Sequence, residues 1–198
     1  VPTVGAMQGS FAALLGAART NQEKPYTLFI DPGFPVQKSQ LHLMGVPFKS
    51  FDILNYRGIK LKTKLEEFLN DDNICSICYS SPNNPSWFCF TEEELQIIGE
   101  LATVYDVIVI EDLAYFGMDF RQHYGVAGEE PYQPTVAHYT ENYILLLSAS
   151  KIFSYAGQRI GMMIFSEKTY TCKYPNLKNY FTSDTLGHFI PYGVLYAT

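Results

Sequence analysis

The sequence predicts an α/β protein whose sheet is mostly parallel and covered by helices on both faces. Three observations predict it. Short β-branched and aromatic runs alternate with helix-period segments along the chain, the order expected of an α/β architecture. The runs "ICSICYSS", "VIVIED" and "YILLLS" are apolar almost throughout, as strands buried on both faces are. Polar residues then collect just past the C-terminal ends of those runs, where open α/β sheets bind ligands.

The elements follow in order. "GAMQGSFAALLGAAR" is a helix with Phe11, Leu14, Leu15 and Ala18 on one face. "YTLFIDP" is a strand ended by Pro32, "QKSQLHLMG" a short helix closed by Gly45, and "VPFKSFDI" a second strand. Thr63 with Glu66 three residues on has the form of a capping box, opening a helix that turns Leu65, Phe68 and Leu69 inward. After "ICSICYSSP" a second such pair, Thr91 with Glu94, opens a helix presenting Leu95, Ile98, Leu101 and Tyr105. "VIVIED", "YILLLS" and "RIGMMIFS" supply the remaining strands. Residues 117–141 break the alternation with a long polar stretch rich in Gly, Pro and Tyr, a length that tends to be functional or mobile.

Composition narrows the function. The 198 residues suit one domain with a substantial core, at 47% hydrophobic and 17% charged. A net charge of −6 without a basic patch argues against a nucleic-acid surface. No apolar run approaches bilayer length and no signal-peptide pattern is present, so no membrane role is expected. Val1 opens in mid-pattern, which reads as a piece of a longer protein. Of the four cysteines, Cys75 and Cys78 form a C-x-x-C, yet no second pair follows at zinc spacing. Cys75, Cys78, Cys89 and Cys172 therefore read as free thiols in a reducing, cytoplasmic setting. The histidines His42, His123, His138 and His188 are scattered, and no metal site is expected.

The strand ends deliver a distinctive set. "SASKIFSYAGQRIG" places Lys151 after an apolar strand and reads as a buried amine, which desolvation makes nucleophilic. Beside it stand Ser148, Ser150 and Arg159, the arginine set among glycines in an apolar strand, where it needs a buried anion. "ICSICYSS" delivers Pro82, Asn83, Asn84 and Pro85; "VIVIED" delivers Glu111, Asp112 and then Tyr115. "TVGAMQGS" puts small residues at a helix start, where free N–H groups hold anions. Strand alternation turns Glu111 to the face opposite Asp112, where its role is structural. One lysine, one acid and an anion cradle suit an aldehyde cofactor bearing a phosphate.

These motifs resemble those of the class I and II aminotransferases, pyridoxal-phosphate enzymes of fold-type I. "SASKIFSYAGQRIG" is similar to their cofactor-lysine motif, "SPNNP" to their Asn-Pro segment and "EDLAY" to their Asp-x-x-Tyr. "GAMQG" resembles the phosphate-holding turn, and "DPGFPVQK" the segment whose aromatic stacks on the cofactor ring. The resemblance implies a seven-stranded sheet, a cytoplasmic homodimer, and transfer of an amino group from an amino acid to a 2-oxo acid. It implies that Lys151 links covalently to pyridoxal 5′-phosphate and that Asp112 pairs with the ring nitrogen. Tyr115 and Asn84 would take the phenolic oxygen. Arg159, Ser148, Ser150 and the amides around Ala6 and Met7 would take the phosphate, and Phe34 would stack on the ring.

Two departures stand out. The family usually continues Asn-Pro with Thr-Gly, where this chain has Ser86-Trp87. The family's N-terminal arm and C-terminal small domain have no counterpart in residues 1–198, which read as the cofactor-binding large domain. The arginine that grips the substrate carboxylate is therefore expected outside this chain, and the 198-residue piece is expected to turn over little or no substrate alone. Two other readings stay open on the same residues. One is a C–S lyase or another β-eliminating enzyme of this fold; the other is the aminotransferase-like sensor half of a transcriptional regulator.

Overall fold

A computed structural model describes residues 1–21, 23–124 and 128–173. His188 and the side chain of Cys172 lie outside the described residues, as do positions 125–127 of the long polar stretch. The strands are β1 (Pro2–Val4), β2 (Tyr26–Asp31), β3 (Phe48–Asp52), β4 (Ile74–Ser80), β5 (Ile108–Leu113), β6 (Tyr143–Ser148) and β7 (Ile160–Phe165). Between them run α1 (Gly5–Thr20), α2 (Pro35–Leu43), α3 (Lys60–Leu69), α4 (Glu92–Val104) and the single-turn α5 (Ala149–Ile152).

The strands form one seven-stranded sheet in the order β1-β7-β6-β5-β4-β2-β3. Pairing is parallel from β3 through β6, while β7 runs antiparallel to both β6 and β1. Every residue of β4 and β5 is buried, as their unbroken apolar sequence requires. Not every strand is covered twice. β7 alternates, with Met163 fully buried and Ile160, Met162 and Ile164 exposed.

Each face of the sheet has its own core. Leu14, Phe29, Cys78, Ile110 and Met163 pack beneath α1. Ile77, Tyr79, Val109 and Leu145 pack against Leu61, Leu65, Leu95 and Ile98 of α3 and α4. Two helix expectations need correction. Phe11 does not face the sheet but is 42% exposed; the buried side of α1 is Gly9, Ser10, Ala13, Leu14, Ala17 and Ala18. The helix lies so close that a Cβ on Gly9 would come within 3.1 Å of Met163 Cγ, so small residues, not large ones, mark the contact. Thr63 does not open α3, which starts at Lys60 because the Leu61 N–H already bonds the Gly58 carbonyl at 3.0 Å. The Thr91–Glu94 capping box is formed as expected, with both reciprocal bonds present.

Candidate active site

At the C-terminal ends of β4, β5 and β6 the chain turns into loops and helix starts that surround one cavity of about 220 Å³. Asn84, Asp112, Tyr115, Ser148, Ser150, Lys151, Arg159, Ala6, Met7 and Phe34 all line it. Ser10, Gln37, Ser80, Ala114 and Ala156, which sequence reasoning did not select, line it too.

Asp112 forms the floor. It is 7% exposed, its Oδ1 accepts from the Ala114 N–H at 3.0 Å, and its Oδ2 accepts from Gln37 Nε2 at 2.8 Å. Burial pushes its pKa up to about 6, against the pull of those two donors. Glu111, next in β5, faces away: it is fully buried and its Oε2 accepts from the Val136 N–H at 3.0 Å. Asn84 lines the cavity, while Asn83 is fully buried and ties the loop to the end of β2 through Nδ2 and the Pro32 carbonyl at 2.6 Å.

Lys151 differs from expectation. The strand stops at Ser148, whose hydroxyl accepts from the Ser150 N–H and caps α5, so the lysine leaves the sheet and is exposed. Its Nζ stands 5.8 Å from the centre of the Tyr115 ring. Arg159 is likewise not a buried strand residue. It precedes β7 in a left-handed backbone conformation, φ 54°, and its exposed guanidinium donates from Nη1 to the Ala156 carbonyl at 3.0 Å and to Ser150 Oγ at 3.5 Å.

The guanidinium meets the start of α1 at Gly5, which is buried at φ +69°; a Cβ there would collide with Arg159 Nη2. Gly161, beneath, leaves the same turn room: its Cβ would lie 2.6 Å from Gly5 C and 2.8 Å from Ala6 N. Glycine at both positions therefore brings an arginine, two serines and the start of α1 into one cradle suited to a phosphate. Phe34, half-buried, precedes α2 on the cavity wall. Trp87 packs on Tyr115, its ring edge-on at 5.2 Å, and stacks on Phe120 at 6.3 Å.

The family model for aminotransferase class I and II matches residues 2–190. The chain belongs to that family. Among relatives, it is 26% identical over 172 residues to a probable kynurenine–oxoglutarate transaminase of Saccharomyces cerevisiae, covering 82% of this chain and 37% of that protein. It is 27% identical over 166 residues to a probable N-succinyldiaminopimelate aminotransferase of Mycobacterium tuberculosis, covering 80% and 38%. A PLP-bound C–S lyase from Staphylococcus hominis superposes with a TM-score of 0.73 at 20% identity, over 100% of this chain and 47% of that one. The N-succinyldiaminopimelate aminotransferase structure from Mycobacterium tuberculosis gives 0.65 at 22%, over 100% and 50%. The chain thus spans under half the length of these relatives and about half of these structures.

Family membership brings the cofactor, pyridoxal 5′-phosphate. The residues present fit it: a buried carboxylate for a ring nitrogen, an accessible lysine for an aldehyde, and a glycine-lined arginine cradle for a phosphate. Among the described residues, Cys75, Cys78 and Cys89 are free and buried, and no helix is long and apolar enough to cross a membrane.

Proposed function

We propose that this chain is the cofactor-binding domain of an aminotransferase that moves an amino group from an amino acid to a 2-oxo acid, acting as a cytoplasmic homodimer. The observation that supports it most is the convergence of Lys151, Asp112, Tyr115, Asn84 and the Gly5–Arg159 cradle on one cavity. When bound, pyridoxal phosphate supplies an aldehyde that joins amines and a ring that draws electron density from the substrate Cα.

The chain's own groups do the rest. Lys151 Nζ, exposed on the cavity, would hold the aldehyde, and the free amine would carry a proton at the substrate Cα. Asp112 would hold a proton at the ring nitrogen from its buried position. Tyr115 and Asn84 would bind the phenolic oxygen, and Phe34 would pack on the ring. Arg159, Ser148, Ser150 and the amides of Ala6 and Met7 would anchor the phosphate.

The test uses the full-length protein loaded with pyridoxal phosphate. We expect a yellow absorbance band that shifts with pH and is lost in Lys151→Ala, with activity falling at least about 100-fold. A panel of amino donors, scored for amination of 2-oxo acids against release of pyruvate and ammonia, separates transfer from β-elimination. A Lys151→Ala protein that keeps both band and turnover overturns the reading.

A further inference from the structure

The C-x-x-C of β4 has no disulfide, and its second member makes a contact that bears on the cavity floor. Cys78 is fully buried, two residues before Ser80, on the sheet face that also carries Asp112 of β5. Its Sγ lies 3.7 Å from Gln37 Oε1, within reach of a sulfur hydrogen bond. Gln37, 3% exposed in the first turn of α2, places Nε2 at 2.8 Å from Asp112 Oδ2.

We propose that Cys78 and Gln37 are positioning residues for Asp112, the thiol holding the Gln37 amide with its nitrogen rather than its oxygen toward the carboxylate. A glutamine amide can flip, and its two ends look alike in shape but not in charge. Flipped, the Gln37 oxygen would face the carboxylate with lone pair against lone pair, and the NH₂ would face sulfur. In the observed orientation the S–H donates to Gln37 Oε1, and burial first, then the charges of Asp112 and Asp31, keep the thiol protonated and able to donate. The chain of donors is therefore one-way: Cys78 to Gln37, Gln37 to Asp112. With the Ala114 N–H on Oδ1 and Gln37 on Oδ2, each carboxylate oxygen has one lone pair fixed. The carboxylate plane is set, and its remaining acceptor capacity is left to the cavity it lines.

The inference builds on the reading of Asp112 as partner of the cofactor's ring nitrogen. Its test measures the dissociation constant of pyridoxal phosphate from the full-length protein by equilibrium dialysis, beside the melting temperature of the cofactor-free form. Gln37→Leu removes the donor and weakens cofactor binding about tenfold. Cys78→Ala removes the thiol and weakens it roughly three- to tenfold, whereas Cys78→Ser, which keeps a donor, recovers most of the loss. A merely structural thiol would give equal losses or the reverse order, since the buried serine hydroxyl is the more costly replacement where no donor is needed.

Wild-type affinity in Cys78→Ala, or equal losses in Cys78→Ser and Cys78→Ala, overturns the proposal, and the Cys78 pair decides it even if Gln37→Leu fails to fold. Asp112→Asn and Lys151→Ala serve as controls. If neither changes cofactor binding, the reading of the site itself is wrong; if both do while Gln37 and Cys78 variants do not, only the positioning role fails.

Discussion

Glu111→Gln should make the protein more resistant to alkali. Glu111 is fully buried on the face of β5 away from the cavity, and burial raises its pKa from 4.5 to about 8, against the pull of the Val136 N–H and Tyr79. Burial also lifts the Tyr79 phenol well above its usual range, so it stays protonated. Tyr79 is near enough to influence the carboxyl, yet Tyr79 Oη and Glu111 Oε1 complete no hydrogen bond of ordinary geometry. A neutral Glu111 relieves that site by donating its own O–H.

The sign follows from proton counting. Below 4.5 both folded and unfolded chains hold the proton, and the group costs nothing. Between 4.5 and about 8 the unfolded chain releases a proton that the folded chain keeps, so stability falls as pH rises. At 1.36 kcal/mol per pH unit the total is about 4 to 5 kcal/mol, a large share of an ordinary folding free energy. Gln has the same shape and does not titrate. Urea denaturation followed by circular dichroism at about pH 5 and about pH 8.5 should show the wild type losing about 4 kcal/mol more than Glu111→Gln. Asp112 titrates in both proteins and cancels in the comparison. Parallel stability curves for the two proteins would refute the reasoning.

Two further substitutions probe the backbone around the cavity. Gly161→Ala drives a methyl against Gly5 C and Ala6 N and should cost about 1 to 3 kcal/mol in urea denaturation, with a parallel loss of cofactor affinity; unchanged affinity would show that the cradle tolerates the shift. Trp87 sits at φ 60°, so Trp87→Gly should be about 1 kcal/mol more stable than Trp87→Ala, both having lost the contacts to Tyr115 and Phe120. Equal stability of the two variants would mean that the loop relaxes away from its left-handed turn.

The sheet and the cavity were legible because both follow local rules. Unbroken apolar runs predict buried parallel strands, and the residues just beyond them, Asn84, Asp112, Ser148 and Lys151, do converge. What was missed depends on distance in the folded chain. Gln37 and Cys78 look like a helix residue and a core thiol until α2 packs beside β4 and β5 and their polar atoms meet. Phe11 is exposed where periodicity points it inward, because the contact of α1 with the sheet is made by Gly9, Ala13 and Ala17. Lys151 and Arg159 read as buried because strand-like sequence adjoins them, but the chain leaves the sheet at Ser148 and rejoins it only at Ile160. Trp87, standing where the motif it resembles carries glycine, takes the left-handed backbone that glycine favours.

The pairing of β1 with β7 fixes when, and not only where, the phosphate cradle exists. Val1 and Met163, 162 positions apart, are hydrogen-bonded neighbours, and Gly5 and Arg159 stand just beyond them. A ribosome must have extruded nearly all of that span before the two halves of the anion site can meet, and a long loop must close for them to do so. A nascent chain that ends short of β7 already has the strand that bears Asp112, but it has no grip on a phosphate. Capture of the vitamin-derived ester thus waits until β7 has joined the sheet.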